Sequence, residues 1–306
     1  MPSVSIYIIT YLNSEERGQV LLRTCEQAFL QRYPDFEVVV SDNGGSYAAA
    51  DALASIDDPR LKVCTNKENE GFTGNINRCL EHCSFDIIKL LCDDDLIHPD
   101  FLAATVPLVD DHTLIVVGVR KFLFGDDPKE LNTPISMPAP WETRNPGYGH
   151  DIWHLPYVCS CIPSATLLTR ALFKELGGFD RNTITADWDF FVEACLNAKV
   201  VHVQTTLCFV GVWGGSLTEE MAGTPYFFPR ESLYTKFRFL HCKSLPLNHQ
   251  VRILAMVFKE LLWQGLRPFR HPFSKTYWSG FFDYVRYQTR LTFMKKRQFG
   301  ERPMNP

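Results

Sequence analysis

Three consecutive carboxylates, Asp93-Asp94-Asp95, stand directly behind the apolar run Phe85 to Cys92. That run is short, branched and mostly apolar, which predicts a buried strand. His98-Pro99-Asp100 then opens a helical pattern, with proline where a first helical turn accepts it. The acids therefore fall at the carboxyl end of a strand, where open α/β sheets bind ligands. Adjacent like charges repel one another. A hard divalent cation with oxygen ligands, shared with substrate phosphates, is the natural partner for such a group. The same residues also fit a solvated acidic turn, because Asp favours turns and helix caps.

The elements that must position these acids can be read along the chain. Val4 to Tyr11 is β-branched and aromatic, hence a first strand, and a helix runs from Asn13-Ser14-Glu15-Glu16 to about Gln31. Phe36 to Val40 is a second strand, closed by Ser41-Asp42-Asn43-Gly44-Gly45-Ser46 and followed by an Ala-rich helix. Leu61 to Cys64 is a third, and Asn69-Glu70-Gly71-Phe72 leads into a helix reaching about Cys83. Four alternations of strand and helix with short connections predict a parallel sheet covered on both faces. Beyond the acids come a helix to about Asp110, a strand at Leu114 to Val119, and an aperiodic stretch from Gly125 to Gly149. Pro163 to Leu168 and Val200 to Val212 read as strands, and Arg170 to Leu176, Phe190 to Asn197 and Val251 to Leu266 as helices. Gly214 to Thr224 is a candidate lid.

The chain has 306 residues, 45% hydrophobic and 22% charged, which are globular values. No stretch reaches the ~20 apolar residues of a membrane-spanning helix. Met1-Pro2-Ser3-Val4 is not a basic segment leading into an apolar core, so no secretory leader is expected. The ten cysteines include no CxxC pair, so reduced thiols in a cytoplasmic protein are expected rather than zinc or a disulfide framework.

Four motifs in order across residues 3 to 215 resemble the family 2 glycosyltransferases, inverting enzymes of the GT-A fold. They are Thr10-Tyr11, Ser41 to Ser46, Asn69 to Asn77 with Asp93 to Asp95 and their Leu-Ile-His-Pro-Asp-Phe continuation, and Gly177-Gly178-Phe179-Asp180 leading to Asp187-Trp188-Asp189. The resemblance implies an α/β GT-A (Rossmann-like), mostly parallel sheet flanked by helices, with a C-terminal helical extension. On this reading residues 1–225 form the catalytic domain and 226–306 a helical region. It implies a nucleotide-sugar donor, of UDP or dTDP type, and a glycan or lipid-linked saccharide acceptor, as in bacterial surface polysaccharide synthesis.

The implied roles can be set beside the chemistry of each residue. The Asp42 carboxylate can accept the imide N–H of a uracil or thymine ring, and Gly44-Gly45 lets backbone approach; a plain Asp-Asn-Gly-Gly turn is the alternative. Thr10 and Tyr11 form the other side of the nucleotide pocket, unless Tyr11 is a core residue. Asp93 is on the ribose side. Asp94 or Asp95 ligates Mn²⁺ or Mg²⁺, with the donor diphosphate completing the shell. Asn69 and Asn77 border the donor, and Arg78 or Lys67 contacts the diphosphate. Asp187 matches the family's general base, which takes the acceptor's proton as the bond forms. Asp187 or Asp189 also fits a helix cap, and Trp188 fits either an acceptor platform or the core. The chain departs from the family at Cys92 and Ala186, where acids are common, at Ile76, where Arg is common, and in Phe209 to Ser216, which lacks a histidine.

From Arg267 to Arg302 nine Lys/Arg face two acids, a tail of +7 that leaves −11 on the remainder of a −4 chain. With its many aromatics, the tail suits an anionic membrane surface, giving a protein peripheral to the inner face of the membrane; a docked helix with a solvated basic face is the alternative. The acidic body argues against nucleic acid. A sugar-phosphate nucleotidyltransferase would carry a glycine-rich basic loop after the first strand, and Tyr11-Leu12-Asn13-Ser14 is not one. A non-catalytic carbohydrate-binding relative would not need Asp42, Asp93 to Asp95 and Asp187 together.

Overall fold

The structure, a computed structural model, describes residues 1–123, 131, 141–143, 162–181, 185–212, 236, 240, 247–270, 273, 275, 278–279, 281–282 and 285–286. The expected lid at 214–224 and most of the basic tail lie outside the described residues, as does most of the aperiodic stretch.

Among the described residues nine strands form one sheet. β1 (Val4–Thr10), β2 (Phe36–Asp42), β3 (Leu61–Thr65) and β4 (Ile87–Cys92) pair in parallel in the order β3-β2-β1-β4. Every residue of β1 is buried, as a central parallel strand requires. The sheet continues past β4 with a change of direction. β8 (Thr166–Thr169) runs antiparallel to β4 and to β6 (Thr113–Leu123), and β9 (Lys199–Val212) is parallel to β6. The short strands β5 (Leu96–Ile97) and β7 (Trp141–Thr143) each pair antiparallel with β9. The four strands of the alternating stretch are parallel as expected, and the sheet, mostly parallel there, is mixed beyond β4.

Side chains alternate across the sheet and define two cores. Val4, Ile6 and Ile8 face α1 (Glu15–Phe29), α2 (Ala49–Ala52) and α5 (Phe101–Thr105). Tyr7, Ile9, Val39 and Leu90 face α3 (Gly71–Asn77), α4 (Cys79–His82), α6 (Arg170–Leu176) and α7 (Ala186–Asn197). The last described helix, α8 (Leu247–Arg270), adds Ile253 and Val257 to this second core. Each fully buried Val, Leu or Ile contributes about 1.5–3 kcal/mol. Cys25, Cys64, Cys79, Cys83, Cys92 and Cys208 are free thiols, and burial pushes the Cys83 thiol up to about 12.

Several boundaries move for identifiable reasons. Pro99 precedes α5 instead of opening it, and Asp100 takes the position before the first turn. The segment between the acids and Pro99 is drawn out as β5 because Leu96 and Ile97 find Phe209 and Cys208 to pair with. α7 starts at Ala186, so Asp187 and Asp189 lie inside its first turn, and Thr185 holds the capping position without a side-chain cap. The helix ending at Gly177-Gly178 has the expected span, with Gly177 left-handed at φ 80°.

Candidate active site

Asp42, Thr10 and the three acids sit where β2, β1 and β4 reach their carboxyl ends. Asp187 comes to the same edge by topology. α7 is separated from β9 by Ala198 alone, so it must double back, and β9 runs in the same sense as β4 through β6 and β8. A 12-residue helix is about 18 Å long, close to the ~20 Å of a six-residue strand, so a helix laid back along β9 carries its first turn toward the carboxyl end of the sheet.

The acid loop is held from below by one helix. Thr24 Oγ1 donates to the Asp93 carbonyl at 2.8 Å, and Gln27 Nε2 to the Ile97 carbonyl at 3.2 Å. Gln31 Nε2 donates to the His98 carbonyl at 2.8 Å, while its Oε1 accepts from Leu102 N at 2.9 Å. Thr24, Gln27 and Gln31 are spaced i, i+3 and i+7, one face of α1 and the turn after it. All three are buried, so the loop backbone is satisfied by side chains in place of water.

The three acids meet different surroundings. Asp93 is buried, accepts from Thr10 Oγ1 at 2.5 Å, and pairs with Arg17 at 3.4 Å. Asp95 is buried and accepts from Gly211 N at 3.0 Å, which ties the loop to β9. Asp94 is the most exposed of the three. Burial first, and then the charge of Asp94, raises both the Asp93 and the Asp95 carboxyl well above the usual range. Positive charge is therefore what the pocket lacks, and a divalent cation on oxygen ligands fits this donor set. Among the described residues no three metal-ligating side chains converge, so this loop by itself offers an ion two acids at most. Beneath the acids lies Lys89, fully buried in β4, donating to the Ser164 carbonyl at 2.5 Å and lying 4.6 Å from the Phe101 ring centre. Its charge lowers the Asp95 carboxyl, against the larger effect of burial.

Gly211 is required where it stands. A Cβ there would lie 2.1 Å from the Asp94 carbonyl oxygen. Gly211→Ala is expected to displace the acid loop from β9 and to lower metal-dependent turnover by at least about tenfold, a change of ~1.4 kcal/mol in transition-state stabilisation. Isothermal titration with Mn²⁺ and a turnover assay read the effect; unchanged values for both would show that the loop does not need this contact.

An amide network shapes the rest of the edge. Asn75 Nδ2 donates to the Ser41 carbonyl at 3.0 Å, and its Oδ1 accepts from Ser41 Oγ at 2.6 Å and Asn66 Nδ2 at 2.9 Å. Asn43 Nδ2 donates to Asn69 Oδ1 at 2.8 Å, and Asn43 Oδ1 accepts from Glu70 N at 3.0 Å. Asp42 is buried, its carboxylate accepting from Gly44 N at 3.1 Å and Ala49 N at 3.0 Å. A carboxylate has about four acceptor sites, so one further N–H donor can be taken. Glycine is needed at Gly45 because a Cβ there would lie 1.9 Å from the Leu12 carbonyl oxygen, so the close approach is to the chain itself. Tyr11 is 43% exposed just past the end of β1, so it is not a core residue.

Three expected site residues are engaged elsewhere. Arg78 is held by Glu70 and Glu81, so its guanidinium is committed to carboxylates, while Lys67 is exposed. Asn77 Nδ2 donates to the Phe179 carbonyl at 2.9 Å and its Oδ1 accepts from Phe179 N at 2.8 Å, so it fastens the Gly177–Asp180 loop to α3. Trp188 is 7% exposed and belongs to the second core, so of the two roles expected for it the geometry supports packing, not an acceptor platform. Phe179 stacks on Phe190 at 4.6 Å, which carries the connection on to α7. Asp187 is partly exposed in the first turn, its Oδ1 accepting from Trp188 N at 2.8 Å. The residues missing from the sequence reading are Arg17, Thr24, Gln27, Gln31, Asn43, Asn66, Asn75 and Lys89. Polar residues at helical spacing on an otherwise apolar face were the available signal for the α1 set.

A sheet of this order, with its acids gathered at the carboxyl edge, is the GT-A fold. S. aureus TarS 1–349, solved in complex with UDP-GlcNAc, aligns over 93% of this chain and 81% of its own at a TM-score of 0.63 and 17% identity. The mannosyltransferase PcManGT from Pyrobaculum calidifontis, solved with GDP-Man and Mn²⁺, aligns over 96% and 88% at a TM-score of 0.56 and 16% identity. The chain belongs to glycosyl transferase family 2, whose model matches residues 5–177. Cellulose synthase 1 of Komagataeibacter xylinus is 24% identical over 72% of this chain, and glucosyl-dolichyl phosphate glucuronosyltransferase of Haloferax volcanii 25% over 59%. The chain spans only 14% and 56% of those two proteins, less than two thirds of either.

Proposed function

We propose that this protein is an inverting glycosyltransferase. It moves a sugar from a UDP or dTDP donor to a hydroxyl of a glycan or lipid-linked saccharide, in the assembly of surface polysaccharide. The observation that carries this reading is the gathering of Asp42 and Asp93 to Asp95 at the carboxyl edge of the sheet, with the α7–β9 connection directing Asp187 toward the same edge. Residues 1–225 carry the reaction and 226–306 form the helical extension.

Asp42 accepts the imide N–H of the base, with Tyr11 packed on the ring and Asn69 at the pocket wall. Asp93, aimed by Thr10 and Arg17, takes the ribose hydroxyls. Asp94 is the better of the two metal ligands, being the more exposed, while Asp95 is turned toward Gly211 N. Mn²⁺ or Mg²⁺ bound there would neutralise the leaving diphosphate. Asp187 removes the acceptor proton as its oxygen attacks the anomeric carbon from the face opposite the leaving group, so a single displacement inverts the centre. That Mn²⁺ and sugar nucleotides occupy solved relatives supports the cofactor and donor class.

The test is donor hydrolysis across a panel of nucleotide sugars, with Mn²⁺, with Mg²⁺ and with EDTA. Release of a nucleoside diphosphate from a UDP- or dTDP-sugar, dependent on the cation, is the expected result. No release from any donor, or release of pyrophosphate from nucleotide and sugar phosphate, would replace this reading.

A further inference from the structure

α8 carries two different apolar faces. Ile253 and Val257, with Gln264, are buried against the second core. Leu247, Val251, Leu254, Phe258, Leu262 and Phe269 are exposed, Phe258 by 69%. At about 100° per residue these exposed positions fall on one stripe whose centre is roughly 120° around the helix from the buried one. The stripe is continuous along the length of α8. It therefore exceeds the scattered exposed apolar residues that any soluble surface shows.

The charges are sorted in the same way. Arg252 and Lys259 are exposed and lie seven residues apart, a row about 100° from the stripe's centre, with Trp263 beside it at 50% exposure. The acid of α8, Glu260, faces the body, accepting from Gln264 Nε2 at 2.5 Å and raising the Lys236 amine against the effect of burial. Beyond the helix Phe273, Phe282 and Val285 are exposed, as are Lys275 and Arg286. From Leu247 to Arg302 the chain has eleven Lys/Arg against three acids. Among the described residues no helix is long and apolar enough to cross a membrane.

We propose that α8 lies flat on an anionic phospholipid surface, its exposed stripe sunk among the acyl chains near the headgroups and its basic row on the lipid phosphates. An apolar stripe with basic residues along one border is what this placement requires. Charge complementarity selects this occupant over a second copy of the chain, because self-pairing through the stripe would bring two basic rows together. The docking surface is separate from the acid cluster, so it stands or falls independently of the transfer reaction.

Two double variants test it in the full chain, Leu254→Glu with Phe258→Glu and Arg252→Glu with Lys259→Glu. All four side chains are exposed, so thermal unfolding and donor hydrolysis in solution are expected to match the parent. Flotation with vesicles of phosphatidylglycerol and phosphatidylethanolamine should exceed that with phosphatidylcholine vesicles by about tenfold or more for the parent. It should fall at least about tenfold in either variant, and the charge contribution should weaken in high salt. Equal flotation of parent and variants, or none by the parent, overturns the proposal. So does a parent dimer in sedimentation that Leu254→Glu with Phe258→Glu converts to monomer without any vesicle binding, since the stripe would then be a face between copies.

Discussion

Asp94→Ala and Asp95→Ala are each expected to lower cation-dependent turnover by two to three orders of magnitude, about 3–4 kcal/mol of transition-state stabilisation. The loss comes from the charge that develops on a departing diphosphate with no ion held against it. Stability should move the other way for Asp94. Its charge raises the Asp93 and Asp95 carboxyls, so near neutral pH its removal relieves repulsion in a buried group. Thermal unfolding of Asp94→Ala without metal is therefore expected at or above the parent temperature, and that split separates a ligand from a structural residue. Asp95→Ala strips Gly211 N of its acceptor and should unfold slightly earlier. Parent-like turnover of both variants in Mn²⁺ would remove the metal from this loop.

Asp187→Asn is expected to lower transfer to acceptor by about 10²–10⁴-fold while leaving the affinity for nucleoside diphosphate unchanged. Asparagine keeps the side chain's shape and can still accept from Trp188 N, so α7 should keep its start. The helix does lose a favourable negative charge in its first turn, worth about 0.3–1 kcal/mol. That is too small to account for the expected loss of rate. The sharper readout is the pH profile. The parent's rate should fall as acid protonates a base, and the variant's residual rate should lack that limb. A variant retaining most of the parental transfer rate would take the base role away from Asp187.

Much of the fold was legible because its signals are local. β1, β2 and β4 are buried apolar runs bounded by turn residues, β3 is a partly exposed edge run, and α6 has a left-handed glycine to stop it. The acids and Asp42 declared themselves by lying just past such runs. The parts that escaped are those set by partners distant in sequence. Leu96 and Ile97 are a strand because β9 is there to receive them, more than a hundred residues later. Arg78 looked like a phosphate ligand until Glu70 and Glu81 took its guanidinium. Trp188 is beside a catalytic candidate in sequence, yet a residue in a helix points about 100° from its neighbour, and this one points into the core.

The sequence by itself determined the order of the main strands and helices, the carboxyl-edge position of Asp42 and Asp93 to Asp95, and the family. The first two follow from hydrophobic periodicity and turn chemistry, which act over a few residues, and the family from the resemblance of four motifs in order. Tertiary structure alone decided that β8 reverses the sheet and that Thr24, Gln27 and Gln31 hold the acid loop. It also decided which apolar stripe of α8 is buried and which is left bare. The reason is physical. A polar side chain on a helix, or an apolar one, carries the same local propensity whatever it meets, and only the packed chain determines whether it meets a backbone carbonyl, a core or an open surface.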